Sequence, residues 1–184
     1  FNFEKIIIST GYKSRVIENY VEKKFKDKSI SIVKDTKYYS GTGGAIKNCL
    51  KYIKNNFFVI YGDSYLSINY NKVYKKFLYS KKDLLITAFK NKNKYDKSNL
   101  FIKNKKILEY NKNSKKAEHI DYGVLCISKK AFKSVKSYRF DLKKIILKQI
   151  QNNNISFFDV KKRFYEIGNK VSLKEFKKYA KKKL

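Results

Sequence analysis

The feature that most constrains the fold is an alternation of short apolar strands with amphipathic helices over the first two-thirds of the 184-residue chain. The apolar run 57–61 is continuous, which is typical of a buried parallel strand. The predicted strands are 5–9, 29–34, 57–61 and 84–89, and the predicted helices are 14–25, 45–54 and 73–79. Such units predict an α/β domain of three layers around a mostly parallel sheet.

The rest of the chain has mixed patterns and no linker, so residues 1–184 are interpreted as a single domain. An Asn-Lys pair between two apolar runs predicts a hairpin, and Ser172 is the expected cap of the last helix. The predicted elements here are strands 100–103, 106–110, 120–128, 155–160 and 163–167 and helices 129–135, 142–151 and 173–182.

The net charge of +30 admits two interpretations, a basic nucleic-acid-binding module or a compositional bias toward lysine. The only arginines are Arg15, Arg139 and Arg163, whereas proteins that read bases favour arginine for bidentate contacts. The lysines are also spread along the whole chain instead of forming one basic arm. We therefore expect no specific nucleic-acid partner and keep the nucleic-acid-binding module as the alternative.

The cysteines Cys49 and Cys126 are far apart and lack metal-ligand spacing, and His119 is the only histidine. The expectation is two buried free thiols in a reducing cytoplasm. No apolar run approaches the roughly 20 residues that a membrane span requires, so no membrane partner is expected.

A glycine-rich segment, Gly41-Thr42-Gly43-Gly44, leads directly into a predicted helix. Glycines allow a backbone to pass close to a ligand, and free N–H groups at a helix start favour an oxygen-rich partner. A side chain at Gly44 is expected to block a ligand without disturbing the fold. The alternative is a tight turn with a purely structural role.

Two carboxylates stand where a metal site is expected. Asp63 follows the apolar strand 57–61, and ligands of open α/β sheets bind at the carboxyl ends of strands. Glu166 lies in a short strand that ends at Gly168, and its carboxylate can supply a second ligand for Mg²⁺. The alternatives are a capping role for Asp63 and a solvent-facing ion pair for Glu166.

Two further segments carry polar groups that suit a sugar phosphate. Asp121, followed by Gly123, can accept hydrogen bonds from sugar hydroxyls if it lines the cleft. Lys112 follows the hairpin and can meet a phosphate, although most lysines in this chain are expected to be solvated.

The order of the motifs GTGGAIKN, FFVIYGDS, IDYGV and RFYEIG resembles that of the sugar-phosphate nucleotidyltransferase family. Within that family the chain is most like the D-glycero-D-manno-heptose 1-phosphate guanylyltransferase type, from the first strand to the last helix. The resemblance implies a Rossmann-like, glycosyltransferase-A-type fold and a Mg²⁺-dependent reaction. A nucleoside triphosphate and a sugar 1-phosphate would be the substrates, with GTP and heptose or mannose 1-phosphate as first choice.

The resemblance also implies roles for the motif residues. Gly43 and Gly44, within the segment 41–44, would lie against the nucleobase, and Asp63 would bind Mg²⁺. Glu166 would be the second metal carboxylate. Asp121 and Gly123 would face the sugar, and Lys112 would approach its phosphate.

One departure from the family pattern concerns its opening signature, a glycine-rich loop with an arginine followed by a Pro-Lys pair. This signature is absent, and the sequence contains no methionine. We expect a missing upstream segment that supplies this loop and a central strand, which leaves an apolar groove near 57–61 and this chain inactive alone. The rivals are a non-catalytic relative and a glycosyltransferase with an Asp-x-Asp motif, although Gly62-Asp63-Ser64 lacks the second aspartate.

Overall fold

The computed structural model describes residues 3–25 and 29–182. Its strands are β1 (Ile6–Thr10), β2 (Ile30–Lys34), β3 (Asn56–Ile60), β4 (Ser64–Tyr65), β5 (Leu84–Lys90), β6 (Leu100–Lys103), β7 (Lys106–Tyr110), β8 (His119–Ser128), β9 (Ile155–Val160) and β10 (Tyr165–Glu166). Its α-helices are α1 (Ser14–Lys24), α2 (Gly41–Cys49), α3 (Tyr70–Ser80), α4 (Lys143–Gln151) and α5 (Lys170–Lys181). Short 3₁₀ helices follow α2 and β8.

The main sheet is built around β8, whose apolar second half is fully buried. This strand is antiparallel to β5 on one side and to β3 and β6 on the other, and β5 pairs in parallel with β9. Strands β3, β5 and β9 therefore run in one direction. The predicted α/β architecture is confirmed, but the prediction of a mostly parallel sheet is wrong: only the β5–β9 pair of the main sheet is parallel, because β8 runs back between β3 and β5.

Helices cover both faces of this sheet, as a three-layer domain requires. On one face, the buried β5 and β8 side chains pack against Ile145 and Ile146 of α4, with Ile46 of α2 beside them. On the other face, Val73 and Phe77 of α3 pack against neighbouring residues of the same strands. Consecutive strand residues thus supply the two cores alternately, which explains the continuous apolar runs in the sequence.

Strands β1 and β2 form a separate parallel pair. Among residues 3–25 and 29–182, no strand is hydrogen-bonded to β1 on the side away from β2, or to β3 on the side away from β8. The ring of Phe3, just before β1, packs edge-on against that of Phe58 in β3 with centroids 5.8 Å apart, so the start of β1 lies close to β3. Ile6 and Ile60 on these edges are 43% and 44% exposed.

Several element boundaries differ from the sequence prediction. Helix α2 begins at Gly41 instead of residue 45, so the glycines form its first turn. Asn169, not Ser172, caps α5 by accepting a hydrogen bond from the Ser172 N–H. Both cysteines are buried free thiols, as expected. Within the described ranges, no helix is both long and apolar enough to cross a bilayer.

Candidate active site

The carboxylates of Asp63 and Glu166 are brought together by a very short strand pair. Asp63 follows β3 directly, and β4 then pairs antiparallel with β10, which places Glu166 opposite Ser64. The Ile167 N–H donates to the Asp63 carbonyl at 2.7 Å and extends this pairing by one bond. Two segments a hundred residues apart in sequence therefore meet at the end of β3.

Gly168 lies beside both carboxylates. A Cβ placed on Gly168 would lie 3.5 Å from Asp63 Oδ2 and 3.6 Å from Glu166 Oε1. Nowhere in the described ranges, this location included, do three or more His, Cys, Asp or Glu side chains form a group that could hold a metal ion, so the candidate site is a pair. Two carboxylates that leave room for further oxygen ligands suit Mg²⁺, which usually keeps waters or substrate phosphates in its shell.

The glycine segment packs against residues 138–141, which precede α4. The N–H groups of Gly43 and Gly44 both donate to the Phe140 carbonyl, at 3.0 and 3.1 Å, and Gly41 has a positive φ of 73°. The prediction that these N–H groups are free for an oxygen-rich ligand is therefore wrong for Gly43 and Gly44. Gly41 and Thr42 are exposed, and the Thr42 hydroxyl accepts from the Leu142 N–H at 2.9 Å.

Gly43 and Gly44 are buried, and neither has room for a side chain. A Cβ on Gly43 would overlap the Phe140 ring, and one on Gly44 would overlap the Tyr138 carbonyl oxygen. The expectation that Gly44→Val would leave the fold intact is therefore wrong. The glycine pair allows α2 to approach the segment before α4, whatever further role it has toward a ligand.

We predict that Gly44→Ala lowers the free energy of unfolding by about 2 kcal/mol, because the Tyr138 carbonyl belongs to the backbone and cannot rotate aside. Alanine favours the helix over glycine by about 1 kcal/mol. A net loss of stability would therefore show that the steric overlap costs more than this gain. Gly62→Ala is the matched control, since no atom lies within 4 Å of its Cβ position. Equal urea midpoints for the two variants would contradict this packing role.

Asp121 forms a partly buried hydrogen-bonded cluster with two tyrosines, Tyr61 and Tyr110. Its Oδ2 accepts from the Tyr110 hydroxyl at 3.1 Å and from the Tyr61 hydroxyl at 3.5 Å. Its Oδ1 accepts from the Gly123 N–H at 2.9 Å, and Gly123 has a φ of 92° that favours glycine. Nothing in the local sequence of Tyr61 or Tyr110 indicates this contact, which depends on the fold.

Burial raises the pKa of Asp121 to about 6, although the hydrogen bonds from Gly123, Tyr110 and Tyr61 act in the opposite direction. Burial, and then the nearby Asp121 charge, raise the pKa of both tyrosines. The charge of Asp141, which lies beside the glycine segment, also raises the pKa of Tyr61. Tyr61, Ile46 of α2 and Phe140 beside the glycine segment pack against the same hydrophobic core.

Comparison with known proteins gives this site a context. No family model matches the chain. A stretch of 72 residues is 38% identical to a D-glycero-alpha-D-manno-heptose 1-phosphate guanylyltransferase of Campylobacter jejuni, and covers 38% of this chain and 31% of that protein. The crystal structure of HddC from Yersinia pseudotuberculosis matches with a TM-score of 0.76 and 25% identity, over 97% of this chain and 80% of that one. This chain is similar in sequence and in fold to sugar-phosphate nucleotidyltransferases.

Further nucleotidyltransferases agree with this relationship. The guanylyltransferase of the same name from Aneurinibacillus thermoaerophilus is 32% identical over 84 residues, or 45% of this chain and 36% of that protein. The aligned stretches thus span about a third of the curated relatives' length. HddC complexed with GMP-PN matches with a TM-score of 0.73 and 26% identity over 96% of this chain and 79% of that one. The glycosyltransferase-A-type nucleotidyltransferase fold predicted from the sequence is confirmed.

Lys112, the residue predicted to meet the sugar phosphate, lies outside the carboxylate pair in this nucleotidyltransferase fold. Its Nζ is 3.7 Å from Asp96 Oδ2, and both side chains are exposed. Asp96 belongs to a loop between β5 and β6 that Asn91 organises, through its Nδ2 donating to the Ser98 hydroxyl at 3.1 Å. The described contacts do not join Lys112 to Asp63 or Glu166, so its role remains a prediction.

The raised pKa of Asp121 predicts a pH dependence of the stability of this domain. Between about pH 4 and pH 6 the folded carboxyl keeps its proton while the unfolded one releases it, so stability falls as pH rises. The change is at most about 3 kcal/mol and ends above pH 6. Urea unfolding should show a flatter profile for Asp121→Asn across this window, and parallel profiles would contradict the assignment.

Proposed function

We propose that this domain transfers a nucleoside monophosphate from a nucleoside triphosphate to a sugar 1-phosphate. The observation that carries the proposal is the pair of carboxylates of Asp63 and Glu166 flanking Gly168, in a fold shared with guanylyltransferase relatives. The matched HddC structure was solved in complex with GMP-PN, which supports GTP as first choice. Heptose or mannose 1-phosphate is the proposed acceptor, because both curated relatives are named for a heptose 1-phosphate.

In the proposed reaction, a phosphate oxygen of the sugar 1-phosphate attacks the α-phosphorus of the triphosphate. One P–O bond forms to the sugar phosphate, the bond from the α-phosphorus to the β-phosphate oxygen breaks, and pyrophosphate leaves with the released electron pair. The protein forms no covalent bond to either substrate, so its contribution is positioning and charge stabilisation.

Asp63 and Glu166 fit a divalent cation, since they offer two hard carboxylate oxygens on either side of Gly168, which has no side chain. Mg²⁺ held there would neutralise charge on the phosphates. Lys112 is proposed to approach the sugar phosphate, and Asp121 to orient the sugar with Gly123 beside it. Asp121 Oδ2 already accepts from both tyrosines, whereas among the described residues Oδ1 accepts only from the Gly123 N–H, so a sugar hydroxyl would donate to Oδ1.

At the nucleotide end, the exposed residues Gly41 and Thr42 are proposed to border the nucleobase. Gly43 and Gly44 are proposed to lie behind them, where they keep the turn close to residues 138–141. The two buried free thiols support a reducing compartment, so we propose a cytoplasmic enzyme that supplies nucleotide sugars.

We also propose that the domain contains one more strand, between the open edges of β1 and β3. The proposal is supported by the exposed Ile6 and Ile60 on these edges and by the nearby contact between Phe3 and Phe58. Polypeptide outside residues 1–184 would supply this strand and, with it, the loop that cradles the triphosphate.

The test is release of pyrophosphate by the complete protein, assayed with GTP, CTP, UTP or dTTP against several sugar 1-phosphates in the presence of Mg²⁺. We expect activity to be highest with GTP and a heptose or mannose 1-phosphate. No pyrophosphate from any combination would overturn transfer and leave the non-catalytic relative. Tight, salt-sensitive binding to duplex DNA without triphosphate binding would instead favour the nucleic-acid-binding alternative.

A further inference from the structure

Arg163 is the centre of a cluster that joins several parts of the site. Its guanidinium lies between two rings, 4.0 Å from the centroid of Tyr95 and 4.6 Å from that of Tyr165. One guanidinium nitrogen donates to Glu175 of α5 at 2.6 Å. The Arg163 carbonyl accepts from the hydroxyl of Tyr122, the residue after Asp121, at 3.3 Å.

Arg163 is one of only three arginines among 45 basic residues, and the chemistry of its position explains why an arginine is used there. A flat guanidinium can stack on a ring with each face while its edge donates to a carboxylate. A lysine ammonium is a compact point charge that cannot fill the space between two rings in this way. The stacking therefore depends on arginine specifically, in a chain that otherwise uses lysine.

The ring of Tyr165 links this cluster to Glu166. Because neighbouring strand residues point to opposite faces, Tyr165 faces the cluster while Glu166 faces Asp63. Tyr165 also stacks on Tyr179 of α5, with ring centroids 4.3 Å apart and an interplanar angle of 23°. Strand β10 contains only two residues, so its backbone pairing is short and side-chain packing must contribute much of its orientation.

The other ring, that of Tyr95, belongs to the loop that carries Asp96, the ion-pair partner of Lys112. The guanidinium therefore bridges the loop on the Lys112 side and the strand that carries Glu166.

We propose that Arg163 is a positioning residue: its guanidinium, held between Tyr95 and Tyr165, fixes β10 and so directs Glu166 toward Asp63. The role of Glu166 as a metal ligand rests on the proposed function, whereas the position of β10 does not. Arg163 itself touches neither carboxylate of the pair in the described contacts.

The first test is amide hydrogen exchange at Ile167, whose N–H donates to the Asp63 carbonyl and so reports β10 directly. Arg163→Lys should speed this exchange roughly tenfold, because the stacking on both rings is lost while the charge is kept. Core amides of β5 should be unchanged. Arg15→Lys, at an exposed position of α1, is the matched control and should leave Ile167 unchanged. Ile167 exchange within about twofold of wild type in Arg163→Lys would overturn the proposal.

The second test measures Mn²⁺ affinity by electron paramagnetic resonance. Arg163→Lys should weaken Mn²⁺ binding by several-fold to roughly tenfold, and should cause no further loss in a Glu166→Gln background. An equal loss of Mn²⁺ affinity in the wild-type and Glu166→Gln backgrounds would show that Arg163 does not act through Glu166. If Glu166→Gln alone leaves Mn²⁺ affinity unchanged, the metal assignment fails, and the Ile167 exchange still decides the role of Arg163.

Discussion

Replacing Asp63 by Asn in the complete protein is expected to lower pyrophosphate release by on the order of a thousandfold. Asparagine keeps the size of the side chain but removes the charge that would hold the cation at the end of β3. Glu166→Gln should cost on the order of a hundredfold or more, since one carboxylate would remain. Initial rates at saturating substrates check both variants.

Matched controls separate this effect from a general loss of acidic groups. Asp159→Asn and Glu118→Gln each remove an exposed carboxylate whose partner is a nearby lysine, Lys161 or Lys90. Both controls should keep nearly full activity and the same Mn²⁺ affinity. Asp63→Asn with wild-type rates, or losses equal to those of the controls, would contradict the assigned metal-binding edge.

The second large effect concerns the open edges of β1 and β3. We predict that residues 1–184 alone release pyrophosphate at least about a thousandfold more slowly than a polypeptide extended upstream by a strand and its loop. The added strand would pair with both edges and cover Ile6 and Ile60, and its loop would position the triphosphate. The same added strand should slow amide exchange in β1 and β3.

The control is an extension of the same length in which the strand is broken by two prolines, since proline cannot donate to a sheet ladder. It should restore neither activity nor protection of β1 and β3. Comparable activity of residues 1–184 and the extended polypeptide would show that the additional segment is not needed. Unchanged exchange at β1 and β3 would independently contradict the strand between them.

Local sequence chemistry was sufficient for parts of the fold. The Asn104-Lys105 pair between two apolar runs predicted the hairpin of β6 and β7 with its observed ends. Both residues adopt the positive φ that a tight turn requires. The start of α2 could not be predicted from local propensity, since glycine disfavours helices. What requires glycine there is the approach of residues 138–141, about a hundred residues later in the chain.

The candidate site was predictable to a similar extent. The position of Asp63 at the end of an apolar strand indicated its place, because ligands bind at carboxyl ends of strands. That Glu166 lies beside it depends on the two-residue pairing of β4 with β10, which has no sequence signal of its own. Tyr61 and Tyr110 resemble ordinary core aromatics in sequence, and only the fold brings their hydroxyls to Asp121.

We propose that this basic chain binds a nucleoside triphosphate at one defined site. The alternative is that the surface lysines attract the triphosphate without specificity, as they would any polyanion. Titrating the ¹⁵N-labelled protein with GTP and Mg²⁺ tests the proposal most directly. We predict chemical-shift changes confined to Gly41, Thr42, the end of β3 at Asp63 and the strand of Glu166, which weaken when Mg²⁺ is removed. Changes spread over the surface lysines, indifferent to Mg²⁺ and abolished by moderate salt, would contradict the account.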